Sequence, residues 1–296
     1  MAWCDAELPA AIVQRLRHEG AEPLTIARLG GMSQGRVYRV NTAHRSLIIK
    51  RTAGPTESTF YRQIVTHWPE QTRHTPALPW ALESDGVCWL ALEDIPHPLP
   101  PHRLADPDLL MILHRLHRCT FPAGAETALA YRPVWSATLT DRALRALASD
   151  RTARLGQRLT RWREAAPTLF IRQGPISGDP NPANWGVRDD DTLVLFDWER
   201  LCLGTPAIDL AITVPGLGGT ADYRQVAARY LALDQKQHQG AIADLERAIA
   251  LAKVWSVVEF LAHNTDATER TAATIDWLKR DFEGWFERLW AEYATP

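Results

Sequence analysis

Cysteine is scarce in this chain, which has four in 296 residues (Cys4, Cys88, Cys119 and Cys202) and no Cys-x-x-Cys pair. That spacing excludes a zinc knuckle and the dense disulfide framework of a small secreted domain, and it suits a reducing, cytoplasmic setting. No lysine or arginine tract stands out. With 33 basic residues against 35 acidic ones and a net charge of -2, there is no electrostatic footprint for a nucleic-acid backbone. No run reaches the ~18 consecutive apolar residues of a membrane span. The opening MAWCDAELPAAIVQRLRHEG lacks a basic segment followed by an apolar one, so neither export by a visible signal nor membrane insertion is expected. Internal repeats and low-complexity tracts are also absent. What remains is an ordinary globular composition, 46% hydrophobic and 23% charged, in a chain long enough for one large or two modest domains.

Helical spacing of Ile12, Val13 and Leu16, with Gly20 as a stop, predicts a short leading helix. LTIARLGG, GRVYRV and SLIIK then read as consecutive antiparallel strands, followed by a helical segment around ESTFYRQIV. WALES and VCWLALE read as two more strands joined by a turn at Asp85-Gly86. The segment IPHPLPPH carries four prolines in eight residues. Proline fixes φ and withholds a donor, so neither a helix nor a central strand runs through it. The boundary is placed there, giving a first lobe over 1–95 and a second over 96–296. Beyond it the pattern is mainly helical: apolar residues recur in LLMILHRLHRC and between Ile242 and Leu261, and a final helix is expected from Thr274 to Tyr293.

The chemistry concentrates in ISGDPNPANWGVRDDDTLVLFDWER. Gly178, Pro180 and Pro182 make its first part a loop. WGVR and TLVLF, separated by a polar tip, read as a hairpin that carries Asp197 back beside Asn184. An Asp-x-x-x-x-Asn loop followed by a hairpin and a second Asp brings together Asp179, Asn184 and Asp197. Magnesium-assisted phosphoryl transfer needs this set: hard oxygen ligands for Mg²⁺ and one carboxylate left free to orient the attacking hydroxyl.

SGDPNPANWGV followed by LVLFDWERLCLGTPAIDLA resembles the HGDxxxxN and IDWE…GxPxxDLA signatures of the aminoglycoside phosphotransferase/choline kinase family, and the likeness extends to LHRLH at Leu113 to His117. The resemblance implies an α+β, protein-kinase-like bilobal fold, with a small antiparallel β-sheet in the nucleotide-binding N-lobe and a mainly helical catalytic and substrate-binding C-lobe. It also implies transfer of the γ-phosphoryl of ATP or GTP to a hydroxyl of a small molecule such as an amino alcohol, a choline-like compound or an aminoglycoside. Asp179 is then the catalytic base, Asn184 and Asp197 are Mg²⁺ ligands, and Asp209 supports the catalytic loop without being catalytic. One position departs from the pattern, because Ser177 stands where the family usually has histidine. A weak or inactive nucleotide-binding pseudokinase is therefore the alternative reading.

On the nucleotide side, Lys50 ends an apolar strand and is the expected phosphate contact, with its neighbour Arg51 as the residue it could be confused with. Glu57, at the start of the following helix, is the expected partner of Lys50, with Glu70 as the substitute. GGMSQGRVYRV suits a loop over the phosphates, where Ser33 would donate. Backbone groups from Glu93 to Ile95 are expected to read the base. Trp255, Trp277, Trp285 and Trp290 fit core packing better than a cation-binding cage. Asp276, Asp281, Glu283 and Glu287 read as a solvated helix face, and His114 and His117 as structural rather than as zinc ligands.

Overall fold

The strand patterns of the first hundred residues form one sheet in the computed structural model, which describes residues 8–19, 23–30, 36–147, 152–234, 239–264 and 269–293. The strands are β1 (Pro23–Leu29), β2 (Val37–Thr42), β3 (Ser46–Arg51), β4 (Trp80–Ser84), β5 (Val87–Glu93), β6 (His97–Pro98), β7 (Gly174–Ile176), β8 (Trp185–Val187), β9 (Leu193–Leu195) and β10 (Cys202–Gly204). The first helices are α1 (Ala10–His18), α2 (Pro55–Thr59), α3 (Pro69–Thr72), α4 (Pro107–His117) and α5 (Ala137–Leu147). They are followed by α6 (Thr152–Ala165), α7 (Pro206–Thr213), α8 (Thr220–Ala232), α9 (Gln239–His263) and α10 (Glu269–Tyr293). Two compact units result: Met1–Leu99 with Thr120–Tyr131 and Ala183–Leu201, and the remainder of the chain.

In the first unit, β1 to β5 form an antiparallel five-stranded sheet in the order β1-β2-β3-β5-β4. Asp85 and Gly86, both at positive φ (54° and 71°), close the β4–β5 hairpin as the mirror-image turn that matches strand twist. One face packs on α1: Ile12, Val13 and Leu16 are buried with Tyr38, Val40, Leu47, Ile49, Trp80, Trp89 and Ala91. Successive strand residues point to opposite faces, so with Leu47 and Ile49 turned toward α1, Lys50 faces the other way. The helical run that begins with α2 continues as a π-turn over Phe60–Ile64 and a 3-10 turn over Val65–His67.

A second, three-stranded sheet in the order β6-β8-β9 completes this unit. The proline-rich segment supplies its edge, where Pro98 opposite Gly186 needs no donor of its own. Gly186 is required there, because a Cβ would lie 2.6 Å from Ile95 Cγ2 and 3.1 Å from the His97 carbonyl oxygen.

The second unit is helical apart from the β7–β10 pair, in which Ile176 lies opposite Cys202. Helix α9 is its centre. Ile249, Ala250, Val254, Trp255, Val258 and Leu261 bury several sides of this helix, as expected of one surrounded by others. Two of the tryptophan side chains here serve packing with their polar ends satisfied: Trp255 Nε1 donates to the Val134 carbonyl at 3.0 Å and Trp285 Nε1 to the Gly218 carbonyl at 2.8 Å. Among the described residues, no helix is long and apolar enough to cross a membrane.

Candidate active site

In the first unit, Lys50 and Glu57 meet Asp197. Lys50 Nζ lies 2.7 Å from Glu57 Oε2, 2.7 Å from Asp197 Oδ1 and 3.3 Å from Glu199 Oε1. The hairpin register explains how Asp197 arrives. Trp185 pairs with Leu195, and the Phe196 N–H donates to the Asn184 carbonyl at 2.9 Å, so Asp197 emerges one residue beyond Asn184's partner. Asp197 has φ 64° and ψ 68°, a left-handed conformation that aspartate tolerates better than most residues. The chain then turns through Trp198–Arg200, which brings Glu199 back to the same cation.

Three carboxylates therefore surround one ammonium. Burial alone would lower the pKa of Lys50, but Glu57, Asp197 and Glu199 outweigh it and raise the pKa well above its ordinary value. Glu57 is 1% exposed, and burial pushes its carboxyl up to about 7. Lys50 opposes that rise, while the charges of Asp197 and Glu199 add to it. Donor oxygens of Glu57, Asp197 and Glu199 all lie within 4.8 Å of one another, a spacing that suits a hard divalent cation. Asn184 is buried at the end of the 3-10 turn Pro182–Asn184, immediately before β8, and Asp197 keeps 34% of its side chain open to solvent.

Glu93 and Ile95 are placed for architecture through their side chains. The Glu93 carboxylate receives Arg188 Nε and Nη2, both at 2.7 Å, and the Ala77 N–H at 3.0 Å. Ile95 packs over Gly186. Ser33, with Gly31 and Gly35, lies outside the described residues.

Asp179 belongs to the second unit, on the loop that follows β7. Asn181 Nδ2 donates to its Oδ1 at 2.9 Å. The backbone before it is held by Asp209 in the first turn of α7: Oδ2 accepts the Ser177 N–H at 2.8 Å and Oδ1 accepts the Gly178 N–H at 2.9 Å. Gly178, at φ 79°, makes the turn that presents Asp179. His117 Nε2 lies 3.1 Å from Asp209 Oδ2, and its Nδ1 lies 2.7 Å from the Tyr230 hydroxyl. A carboxylate only accepts, so Nε2 carries a proton toward Asp209.

A family model described as the phosphotransferase enzyme family matches residues 25–251. The chain belongs to that family. No curated protein matches the sequence. Among solved structures, a spectinomycin phosphotransferase in complex with ADP and spectinomycin is 13% identical and covers 92% of this chain and 94% of its own, with a TM-score of 0.65. A Plasmodium vivax ethanolamine kinase is 11% identical over 86% of this chain and 78% of its own, with a TM-score of 0.58. At such identities the likeness is one of fold, here the protein-kinase-like α+β architecture. By its family this chain is a phosphotransferase.

Two features of the phosphotransferase escaped the sequence reading. Glu199 stands two residues after Asp197 in DWE, and only the tight turn reveals that it reaches Lys50; the motif itself was the available signal. Tyr61 is buried near Glu57, Asp197 and Glu93, and burial followed by those charges raises its pKa well above the ordinary value. A tyrosine in a helical run carries no sequence signal for such a place.

Proposed function

We propose that this phosphotransferase moves the γ-phosphoryl of ATP or GTP to a hydroxyl of a small molecule of the amino alcohol, choline-like or aminoglycoside kind, with Mg²⁺. The observation that carries the reading is the single ammonium of Lys50 among the carboxylates of Glu57, Asp197 and Glu199. That cluster holds more negative charge than its own cation balances, and the excess suits a divalent ion.

Asn184 and Asp197 would hold Mg²⁺, and the donor chemistry fits at Asp197, whose carboxylate lies with those of Glu57 and Glu199 within 4.8 Å of one another. When bound, the ion supplies charge neutralisation to the nucleotide phosphates. Lys50, fixed by Glu57, meets the phosphates from the strand side. Ser33 would donate to them from the preceding loop, and main-chain groups from Glu93 to Ile95 would read the base. Asp179 orients the acceptor hydroxyl and takes its proton, with its loop backbone fixed by Asp209. Support for an amine-bearing acceptor comes from the spectinomycin phosphotransferase and ethanolamine kinase that share the fold.

The pseudokinase alternative rests on Ser177. The test is incubation with Mg²⁺ and ATP or GTP against a panel of amino alcohols, aminoglycosides and sugars, followed by mass spectrometry for phosphorylated product. Transfer to one acceptor class is the expected result. Tight nucleotide binding without transfer to any acceptor favours the pseudokinase, and no binding of Mg²⁺-nucleotide overturns both.

A further inference from the structure

The segment Thr120–Tyr131, TFPAGAETALAY, leaves the helical region of the sequence and packs entirely within the first unit. Its contacts fall on the elements that carry the Lys50 cluster. Thr56, immediately before Glu57, donates through Oγ1 to the Ala128 carbonyl at 2.9 Å and accepts the Ala130 N–H at 2.9 Å. Further along the same helical run, Trp68 Nε1 donates to the Thr120 carbonyl at 2.8 Å, and its ring lies 5.4 Å from that of Phe121. At the other end, the Arg200 guanidinium sits 4.1 Å from the centre of the Tyr131 ring and also bonds its hydroxyl. Arg200 closes the turn that begins at Asp197.

Helix α2 begins at Gly54 with no side-chain cap, so its first turn, which carries Glu57, has no local anchor. Yet it must hold the Glu57 carboxylate 2.7 Å from Lys50 Nζ. Phe60 stacked on Trp198 at 4.0 Å joins the helical run to the Asp197 turn on the inside. The strap joins the same two elements on the outside through side-chain hydrogen bonds that a β-branched hydroxyl and a phenol ring are well suited to make. Supporting contacts of this kind set how closely a functional group keeps its productive geometry.

We infer that the Thr120–Tyr131 strap holds the Lys50–Glu57–Asp197 cluster in its working arrangement, with Thr56 and Tyr131 as positioning residues. The inference rests on the proposed phosphoryl transfer, and Thr56 acts through Glu57 without touching substrate.

The test is a double-mutant cycle. Thr56→Val removes both hydrogen bonds but keeps the branched shape, whereas Thr56→Ser keeps the hydroxyl. Expected results are a kcat about 10-fold lower in Thr56→Val, recovery in Thr56→Ser, an unchanged KM for the acceptor, and no additional loss when Thr56→Val is placed on Glu57→Gln. A purely structural threonine would give effects that add to those of Glu57→Gln. Full activity in Thr56→Val, or additive losses, overturns the inference. If the wild-type protein transfers phosphate to no acceptor, the functional reading fails instead, and calorimetric affinity for Mg²⁺-ATP still decides the strap: Thr56→Val must weaken binding, and not further in the Glu57→Gln background.

Discussion

The Asp209 carboxylate takes the Ser177 N–H at 2.8 Å, and its second oxygen takes the neighbouring Gly178 N–H at 2.9 Å. Both oxygens are thereby used on the backbone just ahead of Asp179, in a site where Asp209 is 0% exposed. Asp209→Ala would leave two buried N–H groups and the His117 ring without their acceptor. Each such orphan costs about 1–3 kcal/mol. The variant is expected to melt well below the wild type and to lose transfer, measured by thermal denaturation and initial rates.

Ser177 is 1% exposed, and the main-chain bond to Asp209 does not depend on its side chain. Restoring the family's histidine by Ser177→His puts an imidazole where a hydroxymethyl fits. Overpacking of this kind costs about 1–3 kcal/mol. Lower stability without a gain in kcat is expected, and a higher kcat would show that the missing imidazole limits the reaction.

Asp179→Asn retains the size of the side chain and removes its basicity. General-base loss typically costs about 10²–10⁴ in rate. Turnover should fall by that range while calorimetric affinity for Mg²⁺-nucleotide stays near the wild-type value. Wild-type turnover in the variant would remove Asp179 from the role of base.

The strands and hairpins were legible because their turns and alternation are local: Asp85-Gly86 gives the β4–β5 turn, and WGVR with TLVLF gives the β8–β9 pair. The pairing of Lys50 with Glu57 was anticipated through kinase spacing, but the approach of Asp197 to Lys50 was not, since 147 positions separate them. Glu199 was not legible as a partner, because a tight turn and not a periodic element carries it back. Nor was the strap, since TFPAGAETALAY has no pattern and its contacts depend on tertiary packing around Thr56 and Trp68. The carboxylate of Glu93, next to the expected base-reading backbone, is held by Arg188 from the hairpin, a long-range pairing that no local rule signals.

Burial raises the Glu57 carboxyl, to about 7, against the pull of Lys50, so the free protein holds a proton there to higher pH than an ordinary glutamate would. A raised carboxylate contributes stability that is present below its unfolded value of about 4.5 and lost as pH rises through about 7. A divalent cation near this cluster competes with that proton. Affinity for Mg²⁺-nucleotide should therefore increase between pH 6 and pH 8, with proton release seen as a buffer-dependent binding enthalpy. Both effects should vanish in Glu57→Gln. An identical pH dependence in the variant would assign the proton elsewhere.

Lys253 on α9 is 6% exposed, and its Nζ donates to the carbonyls of Ala211 at 3.0 Å and Val214 at 2.8 Å, at the C-terminal end of α7. A cation there complements the helix dipole, but burial wins and lowers its pKa to about 7. Below that pH both folded and unfolded chains hold the proton, and the folded state bears the cost of a buried charge. Between about 7 and the ordinary 10.5 only the unfolded chain holds it. Stability should thus rise with pH across this window, by at most roughly 1.4 kcal/mol per unit from this group. Lys253→Met removes the titration along with the two hydrogen bonds. Urea unfolding of both proteins at pH 7 and pH 9 should show the rise in the wild type and a smaller one in the variant, the difference belonging to Lys253. Equal slopes would mean that Lys253 stays charged in the folded protein, with its two carbonyl bonds strong enough to offset burial.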